Sequence, residues 1–369
     1  MARAYDAVIV GGGPGGLSVA RRSRASELVV LEASGRLGWP PHCTGIVSPA
    51  TAEGLTPHWR EAVEAVYDAA VFLDAGLRER CRLEARGLAV KLRRPGLEEL
   101  MAAEAEARGV RVVRGARVVA VERRGGRWRL LTAGGAGYEA GRLLAATGFS
   151  HPPAGLPLPR GWRGCERFYG LEARVRLSSR IPGDVFLTVH GTPLAPGFFA
   201  WIAPVGDGRE AVLGLAAPRA RGLWERLQGL VRLSRRLGAE ASGVLEVRGG
   251  VIARGPPAPE PLGRGGALAW TGDLLCASKP YTGGGLYAIA LLSGPLAAWL
   301  DGGDGRGVLE AWRGLRRELL VQRAAARVAN RFPGLMLRLL ARACSRAARG
   351  RCRIDFDRHS SLLRCILPP

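Results

Sequence analysis

The stretch DAVIVGGGPGGLSVARRSRASELVVLE, from Asp6 to Glu32, decides the fold. Its run DAVIV precedes a glycine turn, a short helical segment and a second apolar run, LVVLE, which is the order strand, turn, helix, strand. Gly11, Gly13 and Gly16 fit the spacing G-x-G-x-x-G, and Glu32 follows Gly11 by 21 positions. Such glycines permit a tight turn and close approach to a pyrophosphate, and an acid at this distance binds a ribose. The sequence therefore predicts a βαβ unit that binds a dinucleotide and opens a doubly wound sheet.

The hydrophobic pattern of the remaining chain indicates a second domain and a return to the first. Residues 97–109 have helical periodicity, and strand patterns follow them up to residue 148. Alternating apolar residues in 65–92 and 160–255, interrupted by one helical segment, are typical of an antiparallel sheet with a helix on it. An apolar strand at 266–272 and an uncharged helix then close the first domain.

The predicted fold class is α/β, with a second domain of α+β type. The first domain is Rossmann-like and discontinuous, and an antiparallel substrate-binding domain is inserted into it. The boundaries that we predict are 1–64, 93–158 and 262–300 for the nucleotide-binding domain, 65–92 and 159–261 for the substrate-binding domain, and 301–369 for a C-terminal helical region.

Composition excludes a small disulfide-stapled protein and a disordered tail. The chain has 369 residues, of which 47% are hydrophobic and 23% charged, enough for a proper core. The formal net charge is +22, which favours anionic partners such as nucleic acid, lipid headgroups or phosphorylated substrates, or else reflects the base composition of the genome. Only three side-chain amides and three Met residues are present, which favours a thermophilic source.

The cysteines and histidines predict neither a metal site nor a disulfide framework. The seven cysteines contain no C-x-x-C pair, and we infer a reducing compartment. The histidines at 58, 151, 190 and 359 share no metal-ligand spacing. The N-terminus has no pattern of an export signal, so we expect a cytoplasmic location. Pro280–Leu300 is uncharged and long enough to span a bilayer, but its glycines and prolines favour a loop that leads into a buried helix.

A second motif, WTGDLLCASKPYTGGGL from Trp270 to Leu286, identifies the chain as similar to a known family. It resembles the G-D-A-A-G-x-x-x-P-x-x-G-G-G-I motif of the p-hydroxybenzoate hydroxylase superfamily, and within it the geranylgeranyl reductase family. PHCTGIVS at 41–48 resembles the family's C-x-G-x-V-S loop. AATG at 145–148 and FAWIAP at 199–204 are similar to its A-T-G strand and its Y-x-W-x-F-P motif.

The resemblance implies FAD as the cofactor and assigns residues to each part of it. Gly15 and Glu32 would bind the ADP half, Arg94 the pyrophosphate, Val118 the adenine and Asp273 the ribityl side. The complete implied set is Gly11, Gly13, Pro14, Gly15, Gly16, Glu32, Cys43, Thr44, Gly45, Arg94, Val118, Gly148, Asp273, Gly283, Gly284, Gly285 and Leu286. The last three glycines precede the uncharged helix, whose positive dipole end stabilises negative charge on a reduced flavin.

The implied activity is FAD-dependent reduction of C=C bonds in the isoprenoid chain of a lipid or prenyl diphosphate. Such a reduction needs one acid near the flavin, for which Cys43, His42 and Tyr281 are the candidates. Phe199 and Trp201 either line a tunnel for the prenylated lipid or belong to the core. No second glycine fingerprint follows a strand, so NAD(P)H bound transiently and a small acidic carrier such as reduced ferredoxin are the two candidate electron donors.

Two other functions are compatible with the same sequence. One is an FAD-dependent monooxygenase, because one fold supports several chemistries. The other is an electron-transfer or RNA-docking flavoprotein, although nucleic acid is disfavoured because the arginines are not interleaved with stacking aromatics.

The C-terminal region has a basic helix. Residues 301–369 contain 15 Arg against 6 acids, and Arg338, Arg342 and Arg346 recur at helical spacing beside leucines. The pattern predicts either a helix that lies on the inner face of an anionic membrane, as a peripheral contact, or a helix packed on the core with a solvated arginine face.

Overall fold

The computed structural model describes residues 3–149 and 152–366, so His151 lies outside the described residues. The elements of the first half are β1 (Arg3–Val10), α1 (Pro14–Ala20), β2 (Leu28–Leu31), β3 (Ile46–Val47), α2 (Pro49–Leu55), β4 (Val63–Leu73), β5 (Glu79–Leu92), α3 (Arg94–Glu106), β6 (Arg111–Val113), β7 (Val118–Arg124), β8 (Arg127–Thr132) and β9 (Gly137–Ala145). Those of the second half are β10 (Arg167–Leu177), β11 (Val185–His190), β12 (Phe199–Val205), β13 (Glu210–Ala217), α4 (Leu223–Ser234), β14 (Ala241–Ala253), β15 (Leu268–Trp270), α5 (Leu286–Leu300), α6 (Arg306–Arg331), α7 (Pro333–Ala348) and α8 (Ser361–Ile366).

The first sheet has seven strands in the order β6-β2-β1-β9-β8-β7, with β15 beside β9. β2 and β9 flank β1 in parallel, and β15 adds to β9 in parallel, so a strand 123 residues after the end of β9 returns to this sheet. β7, β8 and β9 form an antiparallel meander. The mixed α/β fold with a doubly wound parallel centre is therefore confirmed.

The second sheet has eight strands in the order β14-β10-β13-β12-β11-β4-β5-β3 and is largely antiparallel. α4 covers a cluster of buried apolar residues on this sheet, as the alternating pattern predicts for a one-sided sheet. β3 lies within the range 1–64 of the nucleotide-binding domain, yet it pairs with β5 of the second sheet. The chain thus contributes a strand, β3, to the second sheet before β4 begins.

The described part of the chain after β15 is helical from Leu286 onwards. α5 follows a loop and is buried along most of its length, as the sequence predicts for Pro280–Leu300. α6 packs on it through Trp312, Leu315 and Leu319, and α7 contacts β5. Among the helices of the described residues, 3–149 and 152–366, none is both long enough and apolar enough to cross a membrane.

The expectation of no disulfide framework is wrong. Six of the seven cysteines are paired, as Cys81–Cys344, Cys165–Cys276 and Cys352–Cys365, and Cys43 is free. The first two pairs join residues 263 and 111 positions apart, so local spacing could not indicate them. With these pairs present, the cysteines no longer support the inference of a reducing compartment.

Removal of the Cys81–Cys344 disulfide should destabilise the protein. The bond joins β5 to α7, whose cysteines are 263 positions apart. A cross-link between distant residues removes more conformational entropy from the unfolded chain than one between near residues. We expect the Cys81→Ala/Cys344→Ala variant to lose about 2–4 kcal/mol of unfolding free energy, measured by urea denaturation. The Cys352→Ala/Cys365→Ala variant, which opens a separation of only 13 residues, should lose less; an equal or larger loss would contradict the argument.

Candidate active site

A continuous cavity of about 1040 Å³ is lined by residues of both sheets and of the C-terminal helices. It brings together all but one of the candidate site residues from distant parts of the sequence, including the glycine turn, the loop at residues 40–46 and the Gly283–Gly285 segment. The exception is Gly16, which is buried beneath the turn. Phe199, Trp201 and Tyr281 line the same cavity.

The glycine turn after β1 has no room for side chains on its inner side. Gly11 has φ +110°, and a Cβ there would lie 2.3 Å from the carbonyl oxygen of Ala146. A Cβ at Gly16 would lie 2.0 Å from the carbonyl oxygen of Gly11, so this glycine permits α1 to pack on the turn. A Cβ at Gly13, by contrast, would meet no atom within 4 Å, so the turn presents an open backbone surface to the cavity.

Glu32, at the end of β2, lies beside this surface. Its carboxylate accepts hydrogen bonds from the backbone N–H of Gly12 (2.6 Å) and of Ser34 (2.7 Å). These bonds fix the carboxylate at the cavity wall, and each of its oxygens keeps a further lone pair for a ligand hydroxyl. A ribose with two adjacent hydroxyls matches this acceptor.

Arg94 and Glu98 form a buried pair at the start of α3. The guanidinium NH2 of Arg94 lies 2.5 Å from Oε1 of Glu98, and burial, which would lower the arginine pKa, is outweighed by this carboxylate and by the adjacent Cys43, so the pKa is raised. The other oxygen of Glu98, Oε2, is buried without a hydrogen-bond partner among the described residues, and Glu98 is one of the residues that line the cavity. A permanently charged guanidinium suits a pyrophosphate.

Asp273 stands on a short 3-10 turn, Gly272–Leu275, that follows β15. The Cys165–Cys276 disulfide anchors the end of this turn. Burial raises the pKa of Asp273, and His42, Arg94 and a hydrogen bond from Ser278 partly offset the rise. Asp273 is one of the residues that line the cavity, where its carboxyl oxygens can accept hydrogen bonds from hydroxyl groups.

The segment from Lys279 to Gly285 is held by backbone hydrogen bonds within the segment and by an ion pair with the C-terminal region. The Lys279 N–H donates to the carbonyl of Gly284 (3.1 Å) and the Gly283 N–H to the carbonyl of Lys279 (2.8 Å). The Lys279 ammonium lies 2.5 Å from Asp357, and both side chains are buried. The segment leads into α5, whose N-terminus has no capping side chain. Its free backbone N–H groups and dipole favour an electron-rich ligand.

The loop before β3 forms the next part of the wall. The Thr44 hydroxyl donates to Glu172 at 2.5 Å, and Arg248 donates to the other oxygen of that carboxylate at 2.6 Å. His42 is exposed and its Nδ1 lies 3.1 Å from the carbonyl of Pro40, a contact within the loop. Gly45 has φ +78°, and a Cβ there would lie 2.4 Å from the carbonyl of Leu92.

Aromatic side chains dominate the adjoining part of the cavity. Phe199 stacks on Phe198 with ring centroids 4.6 Å apart, and it also contacts Tyr281 and Trp201. These residues form one apolar cluster, which agrees with both interpretations of Phe199 and Trp201 because the cluster also lines the cavity. The indole N–H of Trp201 is buried and has no hydrogen-bond partner in the part of the chain that the structure describes.

His190 is a cavity residue that the sequence did not reveal. The Thr188 hydroxyl donates to the carbonyl of Val71 (3.2 Å), so Thr188 accepts from Nε2 of His190 (2.9 Å). Nδ1 of His190, 2.7 Å from the Tyr281 hydroxyl, is then the acceptor of the Tyr281 proton. Burial lowers the pKa of His190 to about 3, which keeps the ring neutral, and burial raises the pKa of Tyr281.

The cavity also extends beneath the C-terminal helices, which the sequence analysis did not place at the site. Its wall there is formed by Ala325, Ala329, Met336, Leu339, Leu340 and Leu362. This wall is mostly apolar, with Gln322, Asp355, His359 and Ser360 as its polar members, unlike the end at the glycine turn. One cavity therefore combines a polar cradle at one end with an apolar, aromatic chamber at the other.

Several buried polar atoms in the cavity wall lack a partner within the described residues. Besides those of Glu98 and Trp201, they are Thr271 Oγ1, Thr282 Oγ1 and Gln322 Oε1. Because buried polar groups are normally hydrogen-bonded, the unpaired atoms of Glu98, beside Arg94, and of Thr271, beside the glycine turn, indicate groups that a bound ligand would satisfy. Together with the open surface at Gly13 and the acceptor Glu32, they fit a large dinucleotide cofactor.

Comparison with known proteins places this geometry in context. A family model described as lycopene cyclase protein matches residues 6–185. The digeranylgeranylglycerophospholipid reductase of Methanospirillum hungatei is 26% identical over 314 residues, which cover 80% of this chain and 75% of that protein. The protein of the same name from Methanocaldococcus jannaschii is 24% identical over 308 residues, which cover 80% of this chain and 77% of that protein.

Solved structures agree with these relatives in fold. A geranylgeranyl bacteriochlorophyll reductase-like protein from Thermoplasma acidophilum superposes with a TM-score of 0.83 at 18% identity, over 99% of this chain and 96% of that one. A variant of HpxO from Klebsiella pneumoniae in complex with FAD superposes with a TM-score of 0.67 at 19% identity, over 97% and 98% of the two chains. In sequence and fold the chain thus resembles the geranylgeranyl reductases, as its motifs predict, and it shares its fold with the HpxO variant that was solved with FAD.

Proposed function

We propose that this protein is an FAD-dependent reductase of C=C bonds in the isoprenoid chain of a lipid or prenyl diphosphate. The observation that carries the proposal is the single cavity in which a dinucleotide cradle adjoins an apolar chamber under the C-terminal helices. A prenyl chain offers no hydrogen-bonding group, so an apolar chamber of this kind suits it. The two digeranylgeranylglycerophospholipid reductases described above support the choice of substrate.

FAD, when bound and reduced, supplies the hydride that such a reduction requires. The chain's own residues would hold it along the cavity wall. Glu32 would accept the ribose hydroxyls, Arg94 would neutralise the pyrophosphate and Asp273 would accept hydroxyls of the ribityl chain. The uncapped end of α5 would stabilise negative charge at the segment Gly283–Gly285.

Saturation of the double bond also needs one proton, and of the candidates Cys43, His42 and Tyr281 we assign Tyr281 as its donor. Its hydroxyl lies in the cavity wall among the aromatic residues of the chamber. The hydrogen bond to His190, which Thr188 holds in turn, positions this hydroxyl; when its proton goes to the double bond, Tyr281 is left as a tyrosinate that water must reprotonate before the next turnover. His42, in contrast, is exposed and bonded within its own loop.

The direct test is to purify the protein, record its absorption spectrum and identify extracted ligands by mass spectrometry. A flavin spectrum, FAD in the extract and a co-purified prenyl lipid would support the proposal. Absence of flavin from a protein that also fails to bind added FAD would overturn it. FAD together with substrate-dependent oxygen consumption and a hydroxylated product would instead favour a monooxygenase.

The electron donor is a separate question that the same preparation can answer. The protein's charge of +22 supports a small acidic carrier such as ferredoxin, because opposite charges accelerate encounter. Reduction of the bound flavin by reduced ferredoxin should then slow steeply as salt is raised, whereas reduction by NADPH would depend much less on salt. Flavin reduction by NADPH alone would favour the nicotinamide donor.

Substitution of Glu32 should weaken FAD binding selectively. Loss of a charged acceptor typically costs about 1.5–3 kcal/mol, so we expect Glu32→Ala to raise the Kd for FAD about 10- to 100-fold in calorimetric titration of the flavin-free protein. Glu32→Gln, which keeps one acceptor oxygen, should lie between this variant and the wild type. Glu27→Ala, which removes an exposed acid just before β2, should leave the Kd unchanged. Equal affinity of the Glu32→Ala and wild-type proteins would remove the ribose assignment.

A further inference from the structure

The apolar chamber opens to solvent between α6 and α8. Val321, Ala325, Val328 and Leu363 line the cavity and are also exposed, so they stand where it meets the surface. We call these four residues the cavity mouth. Three of them follow one another at positions i, i+4 and i+7 of α6, which places them on one face of that helix.

The apolar surface continues beyond the mouth. Phe332 and Leu335, at the junction of α6 and α7, are 54% and 38% exposed, and Val328 is 50% exposed. The opposite face of α6 is buried through Val308, Trp312 and Leu315. α6 therefore has a second apolar face that no part of the described residues covers, and contiguous apolar surface of this kind marks an interaction site.

The charges around this surface favour an anionic partner. The exposed arginines on α6, α7 and α8 near the mouth are Arg327, Arg331, Arg338, Arg342 and Arg364. The whole segment 301–369 contains 15 Arg against 6 acids. Apolar side chains bordered by guanidinium groups match the interface of an anionic bilayer, where apolar residues enter the acyl boundary and arginines contact phosphate groups.

We propose that the cavity mouth, with Phe332 and Leu335, docks on the surface of an anionic lipid bilayer. A prenyl chain would then pass from the bilayer into the chamber without exposing its apolar groups to water, which is unfavourable. The route rests on the proposed function, because it assigns the source of the lipid substrate. Docking itself depends only on the surface.

The test is co-sedimentation of the full-length protein with vesicles of phosphatidylcholine alone or mixed with phosphatidylglycerol. We expect binding to the mixed vesicles and weaker binding to phosphatidylcholine. Two variants leave the chamber wall intact, namely Phe332→Glu/Leu335→Glu and Arg327→Gln/Arg331→Gln. Each should lower the partition coefficient on mixed vesicles at least about tenfold. The matched controls Trp224→Glu on α4 and Arg108→Gln/Arg124→Gln, all at exposed positions, should bind like the wild type.

The outcomes separate docking from catalysis. Wild-type protein that reduces a detergent-dispersed prenyl lipid but does not bind the mixed vesicles would overturn docking and leave the proposed function standing. Vesicle binding that depends on these residues, in a protein that reduces no prenyl lipid, would support docking and count against the reductase. Analytical ultracentrifugation that finds a dimer, converted to monomer by Phe332→Glu/Leu335→Glu, would assign the surface to a second copy and overturn the membrane proposal.

Discussion

Replacement of Tyr281 by Phe is expected to lower kcat for prenyl-chain reduction about 100-fold while FAD stays bound, because a positioned acid typically contributes at least that factor. The substitution removes only the hydroxyl, and the ring keeps its packing against Phe199 and His190. The assay uses dithionite as the reductant and a detergent-dispersed prenyl lipid, so that neither the electron donor nor membrane binding limits the rate.

Control variants distinguish a proton donor from a structural residue. Tyr287→Phe makes the same chemical change at the start of α5, six positions along the chain, and should leave kcat unchanged. His190→Phe should lower kcat less, by about tenfold, since His190 acts through Tyr281 as a positioning residue. If Tyr281→Phe kept more than half of the wild-type kcat while Cys43→Ser lost most of it, the acid would be Cys43.

The pH profile gives an independent check on this pair. Burial lowers the pKa of His190 to about 3, so above pH 5 the ring is neutral and gains no charge. Burial also raises the pKa of Tyr281 above its usual value near 10, so the hydroxyl remains protonated through neutral pH. We therefore expect these groups to leave kcat flat from about pH 5 to pH 9. If kcat of the wild type changed with an apparent pKa near 6.5, and this change disappeared in His190→Phe, the inference that the His190 ring stays neutral would be wrong.

The parts of this site that the sequence predicted are those whose determinants lie close together in the chain. The Asp6–Glu32 stretch contains its own strand, turn, helix and acid, so its spacing alone predicts where Glu32 meets the glycine turn. The Trp270–Leu286 motif is equally local. The residues of these two motifs line one cavity, although one motif follows the first strand of the first sheet and the other follows its last strand, β15.

The remaining parts depend on contacts that no local pattern encodes. His190 meets Tyr281 across 91 positions, and a lone histidine in an apolar strand has no spacing that distinguishes it from a core residue. The disulfide partners Cys81 and Cys344 are separated by 263 positions. The basic pattern of α7 predicted either a helix on a membrane or a helix packed on the core, and neither prediction placed its apolar face, through Leu339 and Leu340, in the cavity wall. Tertiary structure alone determines these contacts.

Asp357 is expected to be the C-terminal residue on which stability depends most. Its carboxylate accepts from the Lys279 ammonium at 2.5 Å, from the Ser48 N–H at 2.9 Å and from the Thr51 hydroxyl at 2.6 Å, and it is only 1% exposed. It thereby ties the segment after α7 to the loop before α2 and to the Lys279–Gly285 segment. Removal of one partner of a buried ion pair typically costs about 3–5 kcal/mol, because the other charge remains buried and unpaired.

The Asp357→Asn variant isolates that charge, since the amide oxygen still accepts from Ser48 or Thr51. We expect a loss of about 3–5 kcal/mol of unfolding free energy in urea denaturation. The double variant Lys279→Met/Asp357→Asn should recover part of the loss because no unpaired charge is left. Asp304→Asn, at an exposed position, should have no measurable effect. A single variant as stable as the wild type would mean that the pair does not hold the segment.

The same contact predicts the direction of the acid response. Burial alone would raise the pKa of Asp357, but the Lys279 ammonium and the hydrogen bonds from Ser48 and Thr51 outweigh it and hold the pKa well below its usual range. Because the folded-state pKa is depressed, the stabilisation is fully present above the unfolded pKa near 4 and is lost as pH falls towards the folded value. The wild type should therefore lose stability below about pH 4 more steeply than Asp357→Asn, which cannot titrate there. Parallel stability curves for the two proteins between about pH 6 and pH 2 would contradict this coupling.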